Sequence, residues 1–383
     1  MNVSHRAVVV VVGANLAQLP TAMRPLVIVL LGHHNTGDYA VAGTAAAAGS
    51  IGMAVTAPLW GRLLVSRGHR LVLCATTAAA AAAQLALAVM SHTTGFIALA
   101  AVAGLTSPPA VSSGRALLPA LVPGSGLSRA YTGNALAQEL TYVLGPLWVV
   151  WWSTAGGPPA ALVACAALGV IAVAAMLAAV PREQAAPSAA LAGPPTALRR
   201  PAVRTVSLVH LSYMAAIGAM WVLLPGFAST AGDGAGAPWL VTAWSLGSLA
   251  GGAAIAVRGR RRGLADAYLR RLALLAGTSG LPALAGTMTE MALAVLVFGI
   301  GLSPWLATAD ELTARAATAA GAGEAYGWQI AAGQAGSAVG SAVAAAVIAG
   351  ERVAGPPFLL VTVPLGIALV LAVTRRRTLA AGG

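Results

Sequence analysis

Apolar runs long enough to cross a lipid bilayer follow one another along almost the whole chain. A membrane-spanning helix needs about 20 predominantly apolar residues, and the 383 residues contain twelve such runs. They fall at about 7–31, 40–65, 71–90, 95–122, 128–152, 159–180, 204–228, 237–257, 268–287, 291–308, 326–350 and 355–374. Only 8% of the residues are charged, against about 25% in a soluble domain. The sequence therefore predicts an all-α integral membrane protein with twelve transmembrane helices.

The positive charges lie almost entirely on one side of this predicted topology. All 22 basic residues are arginines, and most of them fall in the even-numbered connections or near the two ends of the chain. The odd-numbered connections contain only Arg352. Cytoplasmic loops carry the excess of positive charge, so we expect both termini in the cytoplasm. The net charge of +12 is then a topology signal, and we expect no nucleic-acid partner.

The chain divides at a polar segment rich in proline and alanine. We predict an N-terminal six-helix bundle over 1–180, a cytoplasmic linker over 181–203 and a C-terminal six-helix bundle over 204–383. The halves repeat at an offset of 195, which pairs Gly104 with Gly299 and Pro109 with Pro304. Two pseudo-symmetric, parallel repeats of six helices are the plan of a large class of transporters, whose substrate site lies between the repeats near mid-membrane.

One carboxylate lies near the centre of the fifth predicted helix. Glu139 is costly to hold ionised there, so we predict that it binds and releases a proton as access alternates; the alternative is a carboxyl held by hydrogen bonds for packing. Asn134, Gln138 and Tyr142 lie at helical spacing and form one polar patch with Glu139 on the fifth helix. Such a patch is expected for the lining of a cavity. Asn134 and Glu139 match Gln329 and Gln334 at the repeat offset.

Other polar and aromatic side chains in the predicted helices are further candidates for substrate binding. Arg24 on the first helix either faces the cavity, where it pairs with Glu139 or an anionic substrate, or reaches the outer headgroups. Trp221 stacks on a planar substrate or packs against lipid. The complete candidate set for substrate binding is Asn15, Gln18, Arg24, Asn134, Gln138, Tyr142, Trp221, Gln329 and Gln334.

A charge pair is predicted at the cytoplasmic mouth. Arg115 lies in the cytoplasmic third of the fourth helix, and its repeat mate is Asp310. The two residues either open and close the cytoplasmic mouth or hold the loops in place structurally. The structural role is favoured by the fact that charged groups near helix ends reach water.

Six plus six helices, cytoplasmic ends and a basic, glycine-containing loop between helices 2 and 3 resemble the major facilitator superfamily. The family's loop reads Gly-x-Leu-Ala-Asp-Arg-x-Gly-Arg-Lys/Arg, and Gly61, Leu63, Gly68 and Arg70 match it. The family's acidic residue, which helps to latch the outward-facing state, is Val65 here. The resemblance implies a gating role for four residues of this loop: Gly61, Arg67, Gly68 and Arg70.

The fourth and fifth helices resemble the bacterial drug-efflux-like branch of that family. Gly145 and Pro146 are similar to its antiporter motif, which implies that they take part in gating. The resemblance implies a proton-coupled transporter that exports a small organic molecule by rocker-switch alternating access, in a bacterial cytoplasmic (inner) membrane. Proton-coupled uptake of a nutrient is the alternative, since direction cannot be read from the sequence.

A non-transporting sensor or membrane enzyme is a third hypothesis. No convergent set of catalytic groups is evident in the sequence, nor is a nucleotide-binding loop of the Gly-x4-Gly-Lys-Ser/Thr type. We therefore expect no catalytic residues, metal or cofactor. The expected partners are the lipid bilayer, a small-molecule substrate and protons, and we expect a monomer.

Overall fold

The computed structural model describes residues 5–36, 39–122, 126–180, 197–231, 237–258, 263–317, 321–348 and 355–381. Over these residues every regular element is a helix, and no strand is present. The prediction of an all-α fold is confirmed.

The first seven α-helices carry the chain past its midpoint. They are α1 (His5–Thr36), α2 (Tyr39–Arg67), α3 (His69–Ala88), α4 (Thr93–Leu105), α5 (Ala110–Leu121), α6 (Leu127–Ala179) and α7 (Pro201–Thr230). The long α6 is kinked at Gly156 and Gly157, whose backbone angles are not helical. This kink divides α6 into two arms, which correspond to the fifth and sixth predicted helices.

Seven further α-helices complete the described chain. They are α8 (Ala237–Arg258), α9 (Leu264–Thr278), α10 (Met288–Gly299), α11 (Leu302–Ala316), α12 (Ala322–Ile348), α13 (Leu359–Thr374) and α14 (Arg376–Ala381). Short 3-10 helices cover Ala197–Arg199, Leu281–Leu284 and Pro356–Phe358. Ten stretches of the described chain are long and apolar enough to cross a membrane. Because the two arms of α6 give one of these ten and the 15-residue α9 gives none, this number is consistent with twelve spans.

The fourth predicted helix is broken in the middle. The sequence predicts one continuous run over 95–122, but α4 ends at Leu105 and α5 begins only at Ala110. Pro108 and Pro109 lie in the gap; proline lacks an amide hydrogen and disfavours helical geometry in the residue before it. Two donors on α2 satisfy the freed carbonyl oxygen of Leu105, namely Thr56 Oγ1 at 3.0 Å and Trp60 Nε1 at 2.8 Å.

The matching helix of the second half is broken at the corresponding place. There α10 ends at Gly299 and α11 begins at Leu302. The predicted run over 291–308 also ends too early, because α11 continues to Ala316. Asp310 and Glu311 therefore lie inside a helix and are buried, whereas the sequence places them just beyond its end.

The chain forms two compact units. Unit 1 comprises the described residues of Met1–Gly126, Leu140–Thr196 and Ala319–Ala331, and unit 2 comprises those of Leu127–Glu139, Ala197–Thr318 and Ala332–Gly383. The start of α6 thus groups with unit 2, and the start of α12 groups with unit 1. The domain boundaries at 180 and 203 stay a prediction.

The core of unit 1 is built from small and branched apolar side chains. One buried cluster includes Val10, Leu64 and Met176 on α1, α2 and α6. A second includes Phe96 and Leu162 on α4 and the second arm of α6. Large apolar side chains are also exposed on helix surfaces, as expected where lipid is the solvent.

Candidate substrate and gating sites

The start of α12 packs against the end of α2 within unit 1. A Cβ atom on Gly61 would collide with the carbonyl oxygen of Gly323, and a Cβ atom on Gly327 would collide with that of Ala57. Small residues allow this close backbone approach in membrane proteins. Since Gly61 meets Gly323 while Ala57 meets Gly327, α2 and α12 run antiparallel at this contact.

An ion pair lies beside these glycines. Arg62 Nε is 3.9 Å from Glu324 Oε2, and the carboxylate side chain is almost fully buried. Glu324 is not among the site residues predicted from the sequence. The sequence marks it as an acidic residue beside a glycine, just before an apolar run, but does not show which arginine it pairs with.

The turn between α2 and α3 is set by Gly68 and anchored by its neighbours. Gly68 has a φ of 84°, in the left-handed region that favours glycine. The next residue, His69, is hydrogen-bonded through Nδ1 to Ser113 Oγ at 2.7 Å. Arg70 donates to the carbonyl oxygen of Leu177 at 2.7 Å, near the end of α6, whereas Arg67 is exposed.

Arg115 and Asp310 are buried charged side chains, one in each unit. The guanidinium of Arg115 lies over the ring of Tyr326 in unit 1, 5.9 Å from its centroid, which is a cation–π contact. Asp310 lies on α11 in unit 2 and is fully buried. Its neighbour Glu311, also buried, forms an ion pair with Arg315 at 2.8 Å.

Arg24 is buried between α1, α2 and α4. Its Nη1 atom donates to the carbonyl oxygen of Ala103, and its Nη2 atom donates to Ser107 Oγ at 2.5 Å. Nη2 also lies 3.8 Å from the sulfur of Met53. Because Ala103 is in the last turn of α4, the cation lies at the negative end of that helix dipole. A substrate role for Arg24 requires these partners to be exchanged.

Two of the candidate glutamines, Gln18 and Gln329, carry buried amide atoms that lack partners within the described residues. Gln329 on α12 is 1% exposed, and within the described chain neither its Oε1 nor its Nε2 has a hydrogen-bond partner. Oε1 of Gln18 on α1 is also buried without one there. Asn15 differs, because its Nδ2 donates to the carbonyl oxygen of Val11 at 2.8 Å.

The candidates of unit 2 are less uniform in burial. Asn134 is buried, and Gln138 and Gln334 are half-buried. Trp221 is 38% exposed, with its ring 5.7 Å from that of Trp244. The side chains of three predicted site residues lie outside the described part of the structure: Glu139, Tyr142 and Pro146.

Gly145, the remaining predicted gating residue, lies in a close contact between α6 and α1. A Cβ atom built on Gly145 would lie 2.7 Å from side-chain atoms of Met23. Thr141, one turn earlier on α6, donates to the carbonyl oxygen of Asn15 at 3.2 Å. Thr141 and Gly145 therefore both contribute to the contact between α6 and α1.

An aromatic cluster in unit 2 centres on Trp305, which is fully buried. Its ring stacks on that of His210, with 6.2 Å between the ring centroids. The centroids of Tyr213 and Tyr268 lie 4.4 Å and 5.6 Å from that of Trp305. His210 is not among the site residues predicted from the sequence, although a histidine within an apolar run is a visible signal. Within the described residues, no group of three or more His, Cys, Asp or Glu side chains can hold a metal ion.

Comparisons with known proteins agree on the fold. The family model described as Major Facilitator Superfamily matches residues 10–341. No curated protein matches the chain by sequence. The human organic anion transporter MFSD10 (TETRAN) has a similar structure, with a TM-score of 0.74 and 18% identity over 97% of this chain and 98% of that one.

Two further solved structures are similar over nearly their whole length. A bacterial homologue of the iron transporter ferroportin, in an outward-facing state, gives a TM-score of 0.76 and 14% identity over 99% of both chains. The proton:xylose symporter XylE, bound to 6-bromo-6-deoxy-D-glucose, gives 0.73 and 14% over 95% of this chain and 94% of that chain. Identities this low show a shared fold alone.

Proposed function

The chain belongs to the Major Facilitator Superfamily and is a multi-pass membrane transporter, and we propose that it is a proton-coupled secondary active transporter. In this proposal it exports a small organic molecule by rocker-switch alternating access. The alternative is proton-coupled uptake of a nutrient by the same cavity and proton site.

The observation that carries the proposal is the buried amide of Gln329, together with Oε1 of Gln18, neither of which has a hydrogen-bond partner among the described residues. A buried polar atom without a hydrogen bond is destabilising by about 1–3 kcal/mol. Such atoms are expected where a substrate supplies the missing partner. Our candidate substrate-binding residues remain Asn15, Gln18, Arg24, Asn134, Gln138, Tyr142, Trp221, Gln329 and Gln334.

Proton coupling is assigned to Glu139 in this proposal. The residue lies in α6 near the middle of a predicted span, and ionisable residues within membrane-spanning segments mark ion and substrate pathways by default. A carboxyl group that takes up a proton from one side of the membrane and releases it to the other side can link transport to the proton gradient.

We propose that the contact between α2 and α12 is a gate. The ion pair of Arg62 with Glu324 and the packing of Gly61 on Gly323 support closure of the transport pathway where the end of α2 meets the start of α12. Since Val65 cannot act as the family's acidic latch, this ion pair is the replacement. The further gating residues are those of the loop and of the central helices: Arg67, Gly68, Arg70, Arg115, Gly145, Pro146 and Asp310.

The arginine distribution supports one orientation of the chain in the membrane. We propose that both termini and the gate lie on the cytoplasmic side of a bacterial inner membrane. The protein acts as a monomer, without a cofactor or nucleic acid, and performs no covalent chemistry.

The test is a growth assay with a panel of toxic compounds in an efflux-deficient bacterium. The native chain is compared with Glu139→Gln at matched membrane expression. We expect protection by the native chain only, because glutamine keeps the shape of the side chain but cannot exchange a proton.

Each other outcome changes the proposal in a defined way. Equal protection by both chains keeps export but removes the role of Glu139. No protection by the native chain contradicts export, and accumulation of a nutrient in energised cells then establishes uptake. Loss of transport on ATP depletion at a constant proton gradient contradicts secondary transport.

A further inference from the structure

The two candidate glutamines, Gln18 and Gln329, whose buried amide atoms lack partners in the described part of the chain, lie beside the same helix of unit 1. On α1, Ala14 packs against Gly114 of α5. Further along, Arg24 reaches Ala103 at the end of α4, so α1 runs antiparallel to α4 and α5. Gln18 is one helical turn beyond Ala14 in the direction of Arg24.

Gln329 occupies the equivalent level on α12. It is one turn beyond Tyr326, which contacts Arg115 of α5. Helix α12 runs antiparallel to α2, and α2 runs alongside α4 in the same direction. Helices α1 and α12 therefore run in the same direction. Because Gly114 and Arg115 are adjacent on α5, both glutamines flank α5 at the same level, one turn from these two residues along the direction of α1 and α12.

The chemistry of an amide restricts what can bind at this level. Gln329 offers one unused acceptor and one unused donor group, and Gln18 adds a second unused acceptor. A carboxylate only accepts hydrogen bonds and an ammonium only donates them. A hydroxyl or carboxamide group does both, so it satisfies an amide on both sides without bringing a charge into the membrane interior.

We propose that Gln18 and Gln329 form a hydrogen-bonding subsite for a neutral substrate that carries hydroxyl or carboxamide groups. The inference rests on the proposed transport function and names its substrate class. Gln329 is the principal contact, because its side chain is the more deeply buried and both of its amide atoms lack a partner in the part of the chain that the structure describes.

The test measures binding and stability on the purified native chain and on Gln329→Met, which removes the amide at similar size. Thermal unfolding is followed in detergent alone and with millimolar probes. The neutral probes are chloramphenicol, thymidine and D-glucose, and the charged probes are ethidium and fusidate. Gln84→Met is the matched control, because Oε1 of Gln84 on α3 is also buried without a partner in the described chain but lies outside the proposed subsite.

We expect Gln329→Met to unfold at the native temperature or above it without probe, because an unpaired buried amide contributes nothing to stability. At least one neutral probe stabilises the native chain, and its affinity falls about tenfold in Gln329→Met. Its affinity for the Gln84→Met control is unchanged.

Four results overturn the inference. A clear drop in the unfolding temperature of Gln329→Met assigns the amide a structural role. Equal binding of a neutral probe by the native chain and Gln329→Met removes the residue from the site. Stabilisation by the charged probes alone contradicts the substrate class, as does the lack of any shift with all three neutral probes. Because binding is measured without a gradient, a failure here is distinct from a failure of proton-coupled export in the growth assay.

Discussion

At the scale of single residues, Arg24 illustrates how a charge is held inside this fold. An isolated guanidinium in the membrane interior is unfavourable. Here it lies at the carbonyl end of α4 and donates to Ala103 and Ser107 on either side of the α4 terminus. The break in the fourth helix supplies the acceptors, and the cation in turn stabilises the broken helix end.

Replacement of Arg24 by lysine tests this assignment. We expect a lower unfolding temperature for Arg24→Lys in detergent, because a single ammonium cannot reproduce the fork that joins Ala103 and Ser107. The loss of one charge-assisted hydrogen bond corresponds to about 2 kcal/mol. The control is Arg377→Lys on the exposed surface of α14. Native stability of Arg24→Lys would contradict this structural role, whereas weakened substrate binding by the variant would support the proposed substrate contact of Arg24.

At the scale of helices, the contact of α2 with α12 combines two kinds of interaction. The glycines allow backbone approach without regard to charge, whereas the pair of Arg62 with Glu324 depends on opposite signs. An ion pair that is only partly exposed is less screened than one on an open surface. It can therefore bias a balance between two access states that differ by a few kcal/mol.

Exchange of the two charges separates their pairing from their individual contributions. We expect Arg62→Glu and Glu324→Arg each to lower the transport rate about fivefold or more, because like charges in contact shift the balance of the access states by about 1 kcal/mol or more. The double variant, with the charges exchanged, recovers most of the native rate in the same vesicle transport assay. Arg377→Glu controls for the change in net charge. A double variant no faster than either single variant would show that the ion pair does not control the gate.

The sequence predicts the helices better than their interruptions. Apolar runs identify the spans because lipid requires length and apolarity, but the break between α4 and α5 depends on partners elsewhere in the chain. Pro108 and Pro109 only permit it, whereas Arg24, Thr56 and Trp60 bind the freed carbonyl oxygens.

The same limit applies to the candidate sites. Polar residues in apolar runs, such as Gln18 and Gln329, can be selected from the sequence because lipid makes them costly. The pairing of Arg62 with Glu324 cannot, since it depends on how distant helices meet. Nor does the sequence distinguish Asn15, whose amide nitrogen is occupied by its own helix, from Gln329, whose amide is free within the described chain.

At the scale of the whole molecule, the repeat is expressed in packing as well as in sequence. In unit 1 a Cβ atom on Gly104 would collide with the carbonyl oxygen of Gly49, and in unit 2 one on Gly299 would collide with that of Trp244. Both pairs are related by the offset of 195. The contact between the second and fourth helices of each half is therefore built the same way. Both broken fourth helices are thus packed closely against a neighbour just before the break.

The orientation of the molecule decides on which side the proposed gate closes. If the arginine-rich connections are cytoplasmic, the loop between α3 and α4 is external and the loop between α8 and α9 is internal. Ser91 and Gly263 are exposed positions in these two loops. Each is replaced singly by cysteine in a chain that lacks the native thiols of Cys74 and Cys165.

We expect a membrane-impermeant maleimide to label Ser91→Cys in intact cells and Gly263→Cys only in inside-out vesicles. The reason is that the guanidinium groups of Arg270 and Arg271, on the helix that follows Gly263, resist translocation across the membrane during insertion. Labelling after detergent solubilisation is the control for reactivity at each position. The opposite pattern would reverse the topology, and the contact of Arg62 with Glu324 would then close the external side and control substrate exit rather than entry from the cytoplasm.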